Sequence, residues 1–225
     1  MCTIDQPRAT AGRGRFVTFE GIDGSGKTTQ MHLLARRLRA RGDEVIETVE
    51  PGGTVIGKAI RQILLNPAHE AMAPTTEMLL YFAARAQNVD ELLEPALARG
   101  ARVLSDRWTD STFAYQGYGR ELGEQLISDL DRIACRGRRP DVTLWIDVDL
   151  NASLARARSR NASTAAQDTR MDDQSRAFYE RVAEGYRTLA GREPQRFVRV
   201  DGSGTVEDVG ERVWEAYQRL EQRDV

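Results

Sequence analysis

Two hydrophobic periods alternate along this chain. Short, mostly apolar runs at Arg15–Glu20, Glu44–Val49, Ala101–Ser105, Val142–Val148 and Phe197–Val200 read as strands. They are too apolar to keep one face in water, which predicts a parallel sheet buried on both sides. Between them the spacing turns helical. Helices are predicted over 27–41, with Met31, Leu34 and Leu38 on one face, then 55–65, and from Pro74 to about Arg99. Further helices are expected at 121–136, 151–160, 173–190 and 205–222. The inward stripes are Leu122, Leu126, Leu130 and Ile133 in the 121–136 helix, and Val206, Val209, Val213, Tyr217 and Leu220 in the last. Gly42 and Gly100 stand where helices stop, and Pro74 where one opens. No repeat or interdomain linker interrupts the order. The pattern predicts an α/β fold of three layers, a five-stranded parallel sheet with helices on both faces.

Length and charge narrow the function. A chain of 225 residues suffices for one large core. A net charge of −2 supplies no broad positive field, so nucleic acid is not an expected partner. No apolar stretch approaches the roughly 18 residues of a membrane span. Residues 1–14 are polar and lack an apolar signal core; they are expected to be a disordered extension before one domain at 15–225, in the cytoplasm. Cys2, Cys135, His32 and His69 lack metal-ligand spacing.

The chemistry begins after the first strand. Gly21-Ile22-Asp23-Gly24-Ser25-Gly26-Lys27-Thr28 is G-x-x-x-x-G-K-[ST], followed by Thr29. The glycines allow a tight turn whose N–H groups converge on phosphate oxygens, and a helix starting near Lys27 adds its positive end. Lys27 is placed to reach the β- and γ-phosphates, and the Thr28 hydroxyl to ligate Mg²⁺. A nucleoside triphosphate is therefore the expected ligand. This loop alone does not choose among kinase, ATPase and GTPase. An apolar strand ending in Asp106-Arg107 adds a carboxylate for the Mg²⁺ hydration shell and a cation for a second phosphate, at the strand end where ligands of such sheets bind. Trp108 to Gly117 supplies hydroxyl, amide and aromatic groups on an expected loop, suited to reading a base and sugar. No Asn-Lys-x-Asp guanine-reading motif is present.

These residues, with Glu50-Pro51-Gly52-Gly53-Thr54, Arg61, Tyr81-Phe82-Ala83-Ala84-Arg85, Tyr115-Gln116-Gly117, Arg138-Arg139-Pro140-Asp141 and Arg170-Met171-Asp172, resemble the bacterial thymidylate kinases of the P-loop nucleoside monophosphate kinase superfamily. The resemblance runs from about residue 15 to the C-terminus. It implies transfer of the ATP γ-phosphate to dTMP, giving dTDP and ADP for dTTP synthesis, with Mg²⁺, in a homodimer. By resemblance, Asp23 lies near the acceptor sugar and Mg²⁺, Glu50 lies on the acceptor side, and Arg61 and Arg107 hold the acceptor phosphate. Tyr81 takes the place of a ring that stacks on thymine, and Arg85 that of a donor to its carbonyl. Ser111, Thr112 and Gln116 resemble polar readers of the base, and Tyr115 a tyrosine beside the 2′ position. Val49 stands where an arginine is common and Trp108 where Tyr or His is usual.

In this family a catalytic arginine sits either in the phosphate loop or in a lid. Only Gly24 and Ser25 separate Asp23 from Gly26 here, so the resemblance assigns it to a mobile lid at about 156–172. Arg156, Arg158, Arg160 and Arg170 are the candidates, and Arg170 is singled out because it lies in the Arg-Met-Asp match. The expected catalytic set is Lys27, Asp23, Arg107, Arg170 and Arg160. No general base is expected, because a phosphate acceptor is already largely anionic at neutral pH.

Overall fold

The computed structural model describes residues 13–163, 170–171 and 174–222, with the side chains of 160–163 outside the description. The Arg160 side chain, Asp172, the 164–169 part of the expected lid and residues 1–12 therefore lie outside the description.

Five strands, β1 (Arg15–Glu20), β2 (Val45–Val49), β3 (Arg102–Asp106), β4 (Val142–Asp147) and β5 (Phe197–Asp201), pair in parallel in the order β2-β3-β1-β4-β5. The helices are α1 (Lys27–Ala40), α2 (Val55–Leu65), α3 (Pro74–Asn88), α4 (Glu94–Ala98), α5 (Thr109–Thr112), α6 (Glu124–Cys135), α7 (Leu150–Ser163), α8 (Arg176–Arg192) and α9 (Val206–Gln222). β1 is central, and alternation along it divides the core. Val17 and Phe19 pack with Leu34 and Leu38 of α1 and Val213 and Tyr217 of α9. Phe16 faces Met78 and Phe82 of α3, with its ring edge-on to Trp108 at 4.9 Å between centroids. Glu20 shares the Phe16 face of the strand and is fully buried there.

Register places the chemistry. β1 pairs with β3 so that Phe19 stands opposite Asp106, and with β4 so that Glu20 stands opposite Trp145. Chain direction reverses its lateral progress at β1, opening a crevice beyond the strands' carboxyl ends.

Four features differ from the sequence expectation. The helix expected from Pro74 to Arg99 contains wider i→i+5 turns at Val89–Leu93 before α4. Trp108 to Gly117, expected as a loop, is largely helical: α5 continues into wide turns at Phe113–Gly119. On α6 the buried residues are Ile127, Ala134 and Cys135, while Leu126 and Ile133 are 41% and 69% exposed. The inward face there includes Asp131, which accepts from Thr109 Oγ1 at 2.6 Å, a polar anchor invisible to hydrophobic periodicity. Val206 is likewise exposed, at the first turn of α9. Gly14, assigned by sequence to the extension, is buried so closely that a Cβ would lie 2.5 Å from Leu97 O.

Candidate active site

The loop from Gly21 to Gly26 turns sharply out of β1. Gly21, Gly24 and Gly26 have φ of 139°, 83° and 92°, which L side chains rarely adopt. A Cβ on Gly24 would also meet Ser153 O at 2.2 Å, so the loop rests directly on α7. Gly26 caps α1, whose free N–H groups and dipole face the crevice. Ile22 and Ser25 are buried, whereas Thr28 and Thr29 on the first turn of α1 are exposed.

Lys27 is buried, with Nζ 3.5 Å from Asp23 Oδ1. Burial and the nearby Arg107 charge lower its pKa. Thr28 Oγ1 donates to Asp106 Oδ2, which joins the loop hydroxyl to the carboxylate ending β3. No group of three or more His, Cys, Asp or Glu side chains suited to a metal occurs among the described residues. Mg²⁺ does not need one: it keeps several waters and is held by one or two protein oxygens plus substrate phosphates. The adjoining Thr28 and Asp106 oxygens fit that donor set.

Arg107 is the hub of the crevice. It follows β3 in a left-handed conformation, φ 74°, a strain that persists only where the surroundings enforce it. Nη2 donates to Asp23 Oδ1 at 2.6 Å and Tyr115 OH at 3.2 Å. Nη1 donates to Gly21 O at 3.1 Å, Ser111 Oγ at 2.9 Å and Tyr186 OH at 3.3 Å. Tyr115 OH completes the cluster by donating to Asp23 Oδ2 at 3.0 Å. Burial opposes the Asp23 charge, but Arg107 and Lys27 outweigh it and hold the carboxyl well below the usual range.

Beneath this cluster lies Glu20, which sequence reading did not single out. Its Oε1 accepts from Trp108 N at 2.8 Å and its Oε2 from Ser111 Oγ and Tyr186 OH. Burial and the Asp110 charge push its pKa up. The available signal was a carboxylate at the end of an otherwise apolar central strand. Ser111, expected by resemblance to read a base, donates to Glu20 and accepts from Arg107.

Beside the phosphate loop opens a cleft of about 650 Å³, bordered by Asp23 and Arg107. Glu50, Arg61, Tyr81, Arg85, Ser111, Thr112, Tyr115 and Gln116 line it too, so every residue expected to bind the acceptor meets in one place. Leu65 and Met171 add apolar wall. Tyr81 and Arg85 are one turn apart on α3 and face the cleft together. Arg85 is almost fully buried. Its Nη2 donates to Thr112 Oγ1 at 3.0 Å, and its Nε lies 3.8 Å from Glu50 Oε2. Arg85 Nε and Nη1 and Glu50 Oε2 have no hydrogen-bond partner among the described residues. Burial raises Glu50 to about 7 despite Arg85 and the bond from Asn88. Asn88 is a second residue missed by sequence: its amide bridges Thr48 Oγ1 and Glu50 Oε1. Burial pushes the Tyr81 phenol up to about 12, so it stays neutral.

Arg170 does not stand on an open lid. It is buried, with Nη2 2.7 Å from Glu77 Oε2, Nε donating to Leu64 O and its backbone N to Leu65 O at 3.2 Å. The driving force is the buried carboxylate of Glu77, which Arg170 shares with Arg120 and Gln116 in a dry interior. Arg156 and Arg158 are exposed, and Arg156 lines a second groove that reaches Ile22 and Ser25 of the phosphate loop.

The comparisons agree with this geometry. A family model described as thymidylate kinase matches residues 19–213. A thymidylate kinase of Geobacter sulfurreducens is 51% identical over 195 residues, covering 86% of this chain and 92% of its own. One from Pelobacter propionicus is 47% identical over 201 residues, 89% of this chain and 92% of its own. The crystal structure of thymidylate kinase from Ehrlichia chaffeensis superposes with a TM-score of 0.74 at 32% identity, covering 92% of this chain and 99% of that one. With a phosphate-binding loop after the central strand of a five-stranded parallel sheet, the fold is that of the P-loop NTPases, and the chain belongs to the thymidylate kinase family.

Proposed function

We propose that this protein transfers the γ-phosphate of ATP to dTMP, yielding dTDP and ADP for dTTP synthesis. The observation that carries the reading is the single cleft in which all the acceptor-binding side chains meet beside Lys27 and Arg107. The base lies between Tyr81 and Arg85, and the 5′-phosphate points toward Arg61 and Arg107. Tyr115, held by Asp23, crowds the sugar. ATP lies along the phosphate loop, its nucleoside in the groove lined by Ser25, Ser153, Arg156 and Gly204.

An acceptor phosphate oxygen attacks the γ-phosphorus. The bond from that phosphorus to the β–γ bridging oxygen breaks, and the electron pair leaves on ADP. Charge spreads over the moving oxygens, so cations and positioning do most of the work. Lys27 and Arg107 supply it from one side. Arg156 is the described lid arginine that borders the loop and takes the role expected of Arg170. Mg²⁺, held through Thr28 and Asp106, neutralises phosphate charge when bound. Asp23 holds Lys27 and Arg107 together before substrate arrives.

A homodimer is supported by exposed Leu79, Leu126 and Ile133 on α3 and α6, which pack against each other; light scattering tests it. No described helix is long and apolar enough to cross a membrane, and the buried free thiol of Cys135 suits the reducing cytoplasm. The activity test is ADP release with dTMP, dCMP, AMP and thymidine as acceptors. Turnover with dTMP foremost is expected; turnover with another acceptor but not dTMP rejects the reading.

A further inference from the structure

Glu77 sits on α3 with 1% of its surface exposed. It does not line the acceptor cleft, but its carboxylate receives Gln116, which does, together with Arg120 and Arg170. Oε1 accepts from Gln116 Nε2 at 2.9 Å and Arg120 Nε at 3.3 Å. Oε2 accepts from Arg120 Nη2 at 3.2 Å and Arg170 Nη2 at 2.7 Å. Burial opposes the charge, but the bonds from Arg120, Gln116 and Arg170 outweigh it and hold Glu77 below its ordinary pKa. At neutral pH it is an anion.

An ionised carboxylate only accepts hydrogen bonds. Gln116 must therefore give its NH₂ to Glu77, and the group left for the cleft is its carbonyl oxygen. An oxygen there favours a base edge that carries an N–H. Thymine and uracil present N3–H; cytosine presents a bare N3 lone pair at the same position. A glutamine free to rotate would serve both, because its two ends are nearly isosteric.

We propose that Glu77 is a specificity-setting positioning residue. By fixing the orientation of the Gln116 amide, it makes the pocket select a pyrimidine with N3–H over one with an N3 acceptor. The proposal rests on reading the cleft as the site of a pyrimidine monophosphate. It also gives Arg170 a place, since Arg170 and Arg120 hold the carboxylate that orients Gln116.

The test is Glu77→Gln. Its side chain has one oxygen and one NH₂. Arg120 and Arg170 both donate at the Oε2 position, against the single 3.3 Å bond from Arg120 Nε at Oε1, so the oxygen stays at Oε2 and the NH₂ turns toward Gln116. Gln116 then rotates, pointing its own NH₂ into the cleft. One hydrogen bond lost to dTMP and one gained by dCMP are each worth about tenfold. The ratio of kcat/KM for dTMP over dCMP is expected to fall about a hundredfold, with KM for ATP unchanged. A folded Glu77→Gln enzyme that keeps the wild-type ratio overturns the proposal. So does an equal loss on both acceptors, the signature of a merely structural role. Should Glu77→Gln not fold, the Gln116 side-chain amide of the wild-type enzyme is read by hydrogen exchange in NMR. Slow exchange with and without dTMP is expected, and fast exchange in the free protein overturns the proposal. A wild-type enzyme that phosphorylates no pyrimidine monophosphate defeats the functional reading, whereas dTMP turnover with an unchanged ratio defeats this inference alone.

Discussion

Replacing Arg85 by Met removes a guanidinium that borders the acceptor cleft on one side and a buried carboxyl on the other. Nε lies toward Glu50, and Nη1 is buried without a hydrogen-bond partner among the described residues, a donor waiting for an acceptor. A hydrogen bond involving a charged group contributes roughly 1.5–3 kcal/mol. The kcat/KM for dTMP should therefore fall about 10- to 150-fold, with KM for ATP unchanged. Toward the protein, Arg85 is the leading influence that offsets the burial of Glu50. Glu50 is already raised from 4.5 to about 7, and the variant raises it further. A carboxyl whose folded pKa exceeds its unfolded value binds its proton more tightly when folded. Its contribution is fully present below about pH 4.5 and is lost as pH rises through the folded pKa. In the wild type that loss levels off near pH 7, after roughly 3 kcal/mol. In Arg85→Met it continues, at about 1.4 kcal/mol per pH unit, until the new folded pKa is passed. Urea unfolding of both proteins at pH 5, 7 and 9 reads this directly. The gap between them should be smallest at pH 5 and widest at pH 9, and Arg85→Met/Glu50→Gln should abolish the widening. A gap independent of pH would refute the coupling of Arg85 to Glu50. An equal rise in KM for both substrates would refute the assignment of Arg85 to the acceptor.

Lys27→Met should lower kcat by at least about a hundredfold while the cooperative thermal transition survives, since Asp23 keeps Arg107 as a partner; near wild-type turnover would remove Lys27 from the reaction. Gly24→Ala adds strain at φ 83° and a collision with Ser153 O, so it should lower stability by roughly 1–3 kcal/mol and weaken ATP binding, measured by melting and titration calorimetry. Arg170→Ala leaves Glu77 with one guanidinium fewer, so melting temperature should fall and KM for dTMP rise more than kcat falls; loss of kcat alone, with binding and melting unchanged, would restore the sequence expectation of a lid arginine acting in the transition state.

Much of the site was legible because its residues sit close together in sequence or on one repeating face. The phosphate loop is contiguous, and its glycines are read directly from the backbone conformations they permit. Tyr81 and Arg85 are one helical turn apart, so their convergence follows from α3 being a helix. Glu20, Glu77 and Asn88 were not legible. Each is a polar residue whose meaning depends on partners 38 to 166 positions away, such as Asn88 with Glu50 or Glu20 with Tyr186. The burial of Arg170 was hidden for the same reason: an arginine in a segment expected to be a mobile lid shows its partner only when the buried carboxylate of Glu77 is found to receive its charge.

Strand–helix alternation and one contiguous motif determined by themselves that this chain builds a parallel sheet and holds a nucleotide at the end of its first strand. Apolar periodicity and glycine conformation are local properties, written residue by residue. Which end of the Gln116 amide turns to Glu77, and which nitrogens of Arg85 lack a partner among the described residues, was decided only by the tertiary structure. Pairing of β1 with β3 and β4 and packing of α3 against the Phe113–Gly119 turns bring distant charges within 4 Å in a dry interior, where an acceptor-only carboxylate dictates how every neighbouring group must turn.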